Sequence, residues 1–163
     1  MEWSGTVVLT TPRLRLRTFR RDDLPLYAAL NADPEVARYL GGPLSREDSD
    51  DIAAWAQECY AREGLGLLAV ERRDDGAFLG MCGLHHQASY PDEVEVAWRL
   101  ARDHWGHGYA RSLAVMRRLG MVFDHEAEIE DMGTVFQAVV YAITSEHWRS
   151  GAAPRPRRPA EPG

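Results

Sequence analysis

Polar and apolar positions alternate from Arg13 to Arg17 as Arg-Leu-Arg-Leu-Arg. Period two places Leu14 and Leu16 on one face and predicts a strand whose other face is wet. The period then lengthens. Arg20 to Asn31 reads as a helix, with Asp22 and Asp23 suited to its positive end and Pro25 tolerable in its first turn. Asp33-Pro34 opens a second, short helix through Tyr39, which Gly41-Gly42 ends. Ser45 and Asp48 have the form of a capping box with Asp in place of Glu. They predict a helix to about Arg62, with Ile52, Trp55, Ala56 and Cys59 on its apolar stripe and Gly64 as its stop.

The second half returns to strand periods. Leu65 to Arg72 is a short apolar strand, Asp74-Asp75-Gly76 a hairpin turn, and Ala77 to His85 the returning strand. Gly80 and Gly83 inside that strand predict a bulge or the close approach of another backbone. Glu93 to Leu100 alternates Glu93, Glu95 and Ala97 with Val94, Val96 and Trp98, a further strand. A Gly-rich loop follows, then a helix from Arg111 to Leu119 ended by Gly120. Met121 to Ile129 and Val135 to Thr144 read as a hairpin around a turn at 131–133. The elements sum to a mixed α/β fold with a largely antiparallel sheet and helices on its faces. The Pro- and Arg-rich residues 149–163 cannot bury a core and are expected to be disordered, which leaves 1–148 as one domain.

Composition narrows the classes. The 163 residues carry a net charge of −6, against a broad electrostatic grip on nucleic acid. Apolar residues make up 45% and charged residues 27%, an ordinary soluble balance. No apolar run is long enough to cross a bilayer, and Met1-Glu2-Trp3-Ser4 does not read as a secretory signal. Cys59 and Cys82 are not in a metal spacing and read as reduced thiols of a cytoplasmic protein. Cys82, on a Gly-flanked apolar strand, reads as a small core residue rather than a nucleophile.

The candidate chemistry lies in Trp105-Gly106-His107-Gly108-Tyr109-Ala110, between a strand and a helix. Gly106 and Gly108 remove side chains, so backbone amides can approach a ligand, and the helix adds unpaired N–H groups and its dipole. Such a loop is either a pyrophosphate cradle or a tight turn. It lacks the full pattern of a dinucleotide-binding unit and comes late in the chain, so a Rossmann reading is weak.

The wider pattern decides between these. Leu9-Thr10-Thr11-Pro12-Arg13-Leu14-Arg15-Leu16-Arg17, then Gly80-Met81-Cys82-Gly83-Leu84, then Trp-Gly-x-Gly-Tyr-Ala, then Val115-Met116-Arg117-Arg118-Leu119-Gly120-Met121 occur in order. Together they resemble the GNAT superfamily of N-acetyltransferases, in the branch that includes ribosomal-protein N-terminal acetyltransferases. The resemblance runs from about Leu9 to Trp148. It implies an acyltransferase that moves an acetyl group from acetyl-CoA to a primary amine, on a protein N-terminus or a small molecule, by direct attack with a general base. It implies that backbone groups of Trp98, Arg99 and Leu100 pair with the pantetheine arm. Trp105, Gly106, His107, Gly108, Tyr109 and Ala110 would hold the pyrophosphate. A monomer or homodimer is expected, with no metal, nucleic acid or membrane as partner.

Glu95 stands where related enzymes commonly carry a carboxylate facing the reaction centre. It reads either as the base, directly or through water, or as a solvated strand carboxylate beside Glu93. His85 and His86 end the neighbouring strand and are base candidates or surface residues, with His86 the next choice after Glu95. Ser112 is a substitute for the residue that protonates the leaving thiolate, or a helix cap. Against the family pattern, Ala110 runs directly into Arg111-Ser112-Leu113-Ala114-Val115-Met116. Roughly thirty residues, the size of one strand-crossover unit, are missing there. The resemblance thus also implies a relative with an incomplete cofactor splay, a cofactor binder or interaction module, as the alternative to an active enzyme.

Overall fold

The Arg-Leu alternation does form a strand, but its Arg face is wet only at one end: Arg13 is exposed, Arg15 half-buried and Arg17 buried. The computed structural model of the chain describes residues 3–38, 41–87, 90–107, 121–131, 134–144 and 146. The chain divides into two compact units, Met1–His107 and Gly108–Gly163. In the first, β1 (Val7–Thr10), β2 (Leu14–Arg17), β3 (Leu67–Arg72), β4 (Phe78–Gln87) and β5 (Tyr90–Leu100) form a five-stranded sheet in chain order. Every neighbouring pair is antiparallel. The strand β1 went unread in the sequence, although Thr6-Val7-Val8-Leu9-Thr10 is rich in β-branched residues.

With β1 on one side of β2 and β3 on the other, Arg17 is only 1% exposed. Its guanidinium holds Asp23 with two bonds, of 2.6 and 2.9 Å, and Glu71 with one of 2.7 Å. Arg15 and Arg20 also reach Glu71, at 3.0 and 2.9 Å. Burial alone pulls the Arg17 guanidinium down, but the bonds to Asp23 and Glu71 outweigh it and leave it above its ordinary value. Burial likewise pushes the Glu71 carboxyl up, and the bonds from Arg17 and Arg15 override that and hold it below the usual carboxylate range. A buried charge persists only with this degree of pairing.

The helices are α1 (Asp23–Ala32), α2 (Pro34–Ala37) and α3 (Arg46–Glu63). α1 starts three residues later than its sequence pattern suggests. Residues 20–24 first make tight turns, and the Asp23 carboxylate takes the Arg20 amide at 2.6 Å. Asp33 caps α2 by accepting from the Glu35 amide. The Ser45 cap is as expected, accepting from the Asp48 amide at 3.1 Å, and Gly64 closes α3 at φ 70°. The buried stripe of α3 is narrower than its apolar pattern: Ala53 and Ala56 are fully buried, whereas Trp55 is 40% exposed. Small residues let α3 approach the sheet closely. Gln57 then ties it to the backbone N–H and C=O of Phe19.

α1 packs on α3 and β4, and α3 on β3. The core between them holds Phe19, Tyr27, Leu30, Val36, Leu67, Ala69, Phe78 and Met81. Both β4 glycines meet the second of the two expectations. A Cβ on Gly83 would lie 2.0 Å from the Gly66 carbonyl oxygen, and one on Gly80 would lie 2.1 Å from that of Arg99. The register also shifts between Val70 and Glu71, opposite Gly80.

In the second unit, β6 (Val122–Asp131) and β7 (Thr134–Ala142) pair antiparallel, with a register shift between Phe123 and His125. The Phe123 and Tyr141 rings meet edge to face at 6.1 Å. Of the turn expected at 131–133, Asp131 instead ends β6, and 132–133 lie outside the described residues, as do the expected helix at 111–119 and the tail at 149–163.

Candidate functional site

Strand alternation sorts the candidate residues onto two faces. β4 and β5 keep one register from Gly80↔Leu100 to His86↔Val94, so His85 lies directly opposite Glu95. Cross-strand partners share a face and neighbours along a strand do not. His85, Glu95, Ala97 and Arg99 therefore share the face that looks toward α1 and α3. His86, Val94, Val96, Trp98 and Leu100 share the other. Of the two histidines, His85 rather than His86 is brought to Glu95.

On the helix-facing side, His85 Nε2 lies 3.9 Å from Glu95 Oε2. His85 Nδ1 lies 3.2 Å from the His86 carbonyl oxygen. The His85 ring also meets the exposed Trp55 of α3 edge to face, with centroids 5.5 Å apart. Further along β5, the Arg99 side chain donates to Asn31 of α1, and Asn31 in turn donates to Ser49 of α3 at 2.8 Å. Both Asn31 and Ser49 are fully buried. Desolvation raises the phenol of buried Tyr27 above its ordinary value, against the pull of Arg99 and the bond to Asn31. This polar line was not read from the sequence. In the sequence Asn31 reads only as the last residue of a helix, and nothing in its spacing marks a cross-element partner.

The edge of β5 has its own directionality. The Ala101 amide donates to the Leu79 carbonyl at 2.9 Å. Antiparallel alternation then turns the backbone groups of Arg99 toward β4 and those of Trp98 and Leu100 away from it. The Leu100 carbonyl accepts from the Trp105 indole Nε1 at 2.9 Å. A single 3-10 turn, Arg102–His104, brings Trp105 back to this position. Gly106 follows at φ 80°, with nothing within 4 Å of where a Cβ would stand. Next, the His107 carbonyl accepts from Arg13 Nη1 at 3.4 Å, which ties the loop to the chain entering β2. Trp105, Gly106 and His107 are all exposed. Gly108, Tyr109, Ala110 and Ser112 lie outside the described residues.

Burial pushes the Cys82 thiol up, so it is held as a thiol rather than a reactive thiolate. Among the described residues no group of His, Cys, Asp and Glu could hold a metal ion. Among them, too, no helix is long and apolar enough to cross a membrane.

Residues 13–155 match the family model of the acetyltransferase (GNAT) domain. The chain belongs to the GNAT acetyltransferase domain family. Two Bacillus subtilis proteins are similar to this GNAT chain. The uncharacterized protein YkkB is 34% identical over 65% of the chain, and the uncharacterized N-acetyltransferase YoaA is 30% identical over 63% of it. The chain spans about three fifths of their own lengths, 63% and 59%. The crystal structure of an acetyltransferase from Agrobacterium tumefaciens superposes with a TM-score of 0.65 at 23% identity. The superposition covers 85% of this chain and 96% of that one. The mixed α+β architecture with its antiparallel sheet is thus the GNAT fold.

Proposed function

We propose that the chain is an N-acetyltransferase that moves an acetyl group from acetyl-CoA to a primary amine, with Glu95 as the general base. The observation that carries this reading is the end of β5. Glu95 lies on one face of the strand, and the backbone groups of Trp98 and Leu100 turn away from β4. The loop that follows opens with a glycine at positive φ, with no described residue within 4 Å of where its Cβ would stand. Open space at Gly106 suits the close approach of a phosphate to backbone amides. Trp98, Arg99, Leu100, Trp105, Gly106, His107, Gly108, Tyr109 and Ala110 remain the proposed contacts to the coenzyme. Of these, Leu100 offers less than expected, because its carbonyl is engaged by Trp105, and Arg99 less still, because its backbone groups turn toward β4 and its side chain donates to Asn31. The acetyl thioester supplies the electrophile. Glu95 removes a proton from the amine, directly or through water, and the acceptor is a protein N-terminus or a small molecule. The domain spans 1–148 and works in the cytoplasm as a monomer or homodimer.

A second reading has its own observation. Between the end of β5 at Leu100 and the start of β6 at Val122 the chain supplies only residues 101–121. A parallel crossover takes a dozen or more residues, so this stretch can supply one crossover but not a further strand-helix unit of about thirty residues beside it. A relative short of one strand-helix unit would act as a cofactor-binding or interaction module, with Ser112 merely a helix cap. Calorimetry with coenzyme A followed by a thiol-release assay on a panel of amines separates the two. Binding with thiol release is expected, and Glu95→Gln is expected to lower turnover more than coenzyme affinity. Binding without release supports the module, and absence of both overturns the acetyl-transfer reading.

A further inference from the structure

His85 and Glu95 present two atoms to each other, Nε2 and Oε2, 3.9 Å apart. What each offers follows from its other contacts. A carbonyl oxygen only accepts, so the 3.2 Å bond to the His86 carbonyl places a proton on His85 Nδ1. In the neutral ring Nε2 then carries a lone pair, and an ionised Glu95 also only accepts. Two acceptors at this distance leave room for one donor between them. The His85 side chain is only 15% exposed and is braced by Trp55 edge to face at 81°. Its ring is therefore held in place, while Glu95, at 44%, stays open to solvent.

We propose that His85 and Glu95 act as one paired base that receives the acceptor's ammonium between Nε2 and Oε2, the proton coming to rest on His85 Nε2. This rests on the acetyl-transfer reading, and within it moves the role of proton acceptor from Glu95 to His85. The ammonium gives one proton to Nε2, and the freed lone pair on nitrogen forms the C–N bond at the thioester carbonyl. The C–S bond breaks with its electron pair on sulfur, and sulfur takes a second proton from the attacking nitrogen. The first proton leaves Nε2 to solvent. Throughout, the Glu95 carboxylate is the counterion of the imidazolium, so His85 is a catalytic residue and Glu95 both a contact to the amine and the electrostatic partner of His85. From α3 the ring meets neutral Trp55, with the exposed Asp51 and Glu58 one turn to either side of it on that helix. Among the described side chains, Glu95 is the charged group that faces the ring from β5.

Two measurements test the pair. Long-range ¹H–¹⁵N correlation on histidine-labelled protein reads the His85 tautomer without any need for activity. The expected result is Nδ1–H in the neutral ring, with ring ¹⁵N shifts that change in Glu95→Gln. An Nε2–H tautomer, or ring shifts that Glu95→Gln leaves in place, overturns the pairing. In the thiol-release assay, His85→Gln keeps a polar side chain that cannot take a proton. It is expected to lower kcat at least tenfold with coenzyme affinity unchanged, and to remove the acid limb of the kcat profile. A His85→Gln enzyme with wild-type kcat and profile overturns the catalytic role. A wild-type protein that releases no thiol with any amine overturns the acetyl-transfer reading itself, and the role of His85 with it, while the resonance measurement still decides the pairing.

Discussion

The Trp105 indole donates to the Leu100 carbonyl at 2.9 Å, so the last residue of β5 is held by the loop that leaves it. Trp105 is 46% exposed, so burial alone does not fix its ring, and the bond gives it a defined place. Trp105→Phe keeps most of the ring and removes the donor. A net loss of about 1 kcal/mol in stability is expected, read by urea denaturation, with a several-fold weaker coenzyme A affinity by calorimetry. Unchanged affinity would show that the loop does not need this clamp to meet the coenzyme.

Gly106 adopts φ 80° in open space, so a side chain there meets strain and no clash. Gly106→Ala is expected to cost roughly 1–2 kcal/mol, the penalty of a left-handed conformation. Gly106→Asn should cost less, since Asn tolerates that region. Chemical denaturation of the two variants gives the order, and equal stability of Ala and wild type would show that the loop relaxes to negative φ.

Gly83 is constrained in the opposite way. Its backbone is not in the left-handed region, but a Cβ would stand 2.0 Å from the Gly66 carbonyl oxygen and 2.7 Å from the Leu67 Cα. Backbone atoms at that distance cannot step aside singly, so β3 and β4 would have to separate. Gly83→Ala is expected to destabilise by more than about 3 kcal/mol. Gly76→Ala, at φ 75° with nothing within 4 Å, should lose only the local strain. Comparable melting temperatures for the two would contradict the close approach.

These cases also show which parts of the molecule a sequence can carry. The strands from Leu14 to Leu100, the Ser45 cap and the Gly64 stop rest on local periodicity and local hydrogen bonding, and both are written along the chain. The glycines of β4 were legible as a close approach because no other residue type serves there. Burial of Arg17 was not legible. Its charge reads as solvent-facing until β1 and β3 enclose it and Asp23 and Glu71 arrive from six and 54 positions away. At the candidate site Glu95 is a candidate through the family resemblance, and its spacing alone reads equally as a solvated strand carboxylate. The choice between His85 and His86 was not legible, since it depends on a cross-strand register that the spacing within either strand leaves open. The Asn31–Arg99 contact likewise spans elements whose docking no local pattern encodes.

The last prediction concerns acid. Glu71 is held below the usual carboxylate range, burial pushing it up and the bonds from Arg17 and Arg15 prevailing. In the unfolded chain it should titrate near its ordinary value of about 4.3. A group whose folded value is depressed gives its full stabilisation above the unfolded value and loses it as pH falls through the folded one. Stability should therefore hold between neutrality and about pH 5 as far as Glu71 is concerned, and decline below about pH 4 as the carboxylate is forced to take a proton. Glu71→Gln removes the charge while keeping the shape, and leaves Arg17 buried with one of its two carboxylates. Removing one partner of a buried pair costs about 3–5 kcal/mol, and the amide oxygen should recover part of that. At pH 7 the variant is expected to be less stable by about 2–4 kcal/mol on the same grounds. Its acid decline should be shallower, so the two stability curves converge toward pH 3. Urea denaturation from pH 3 to pH 7 measures both. Parallel curves, with the same deficit at every pH, would show that Glu71 stabilises through its shape and hydrogen bonds and not through its charge.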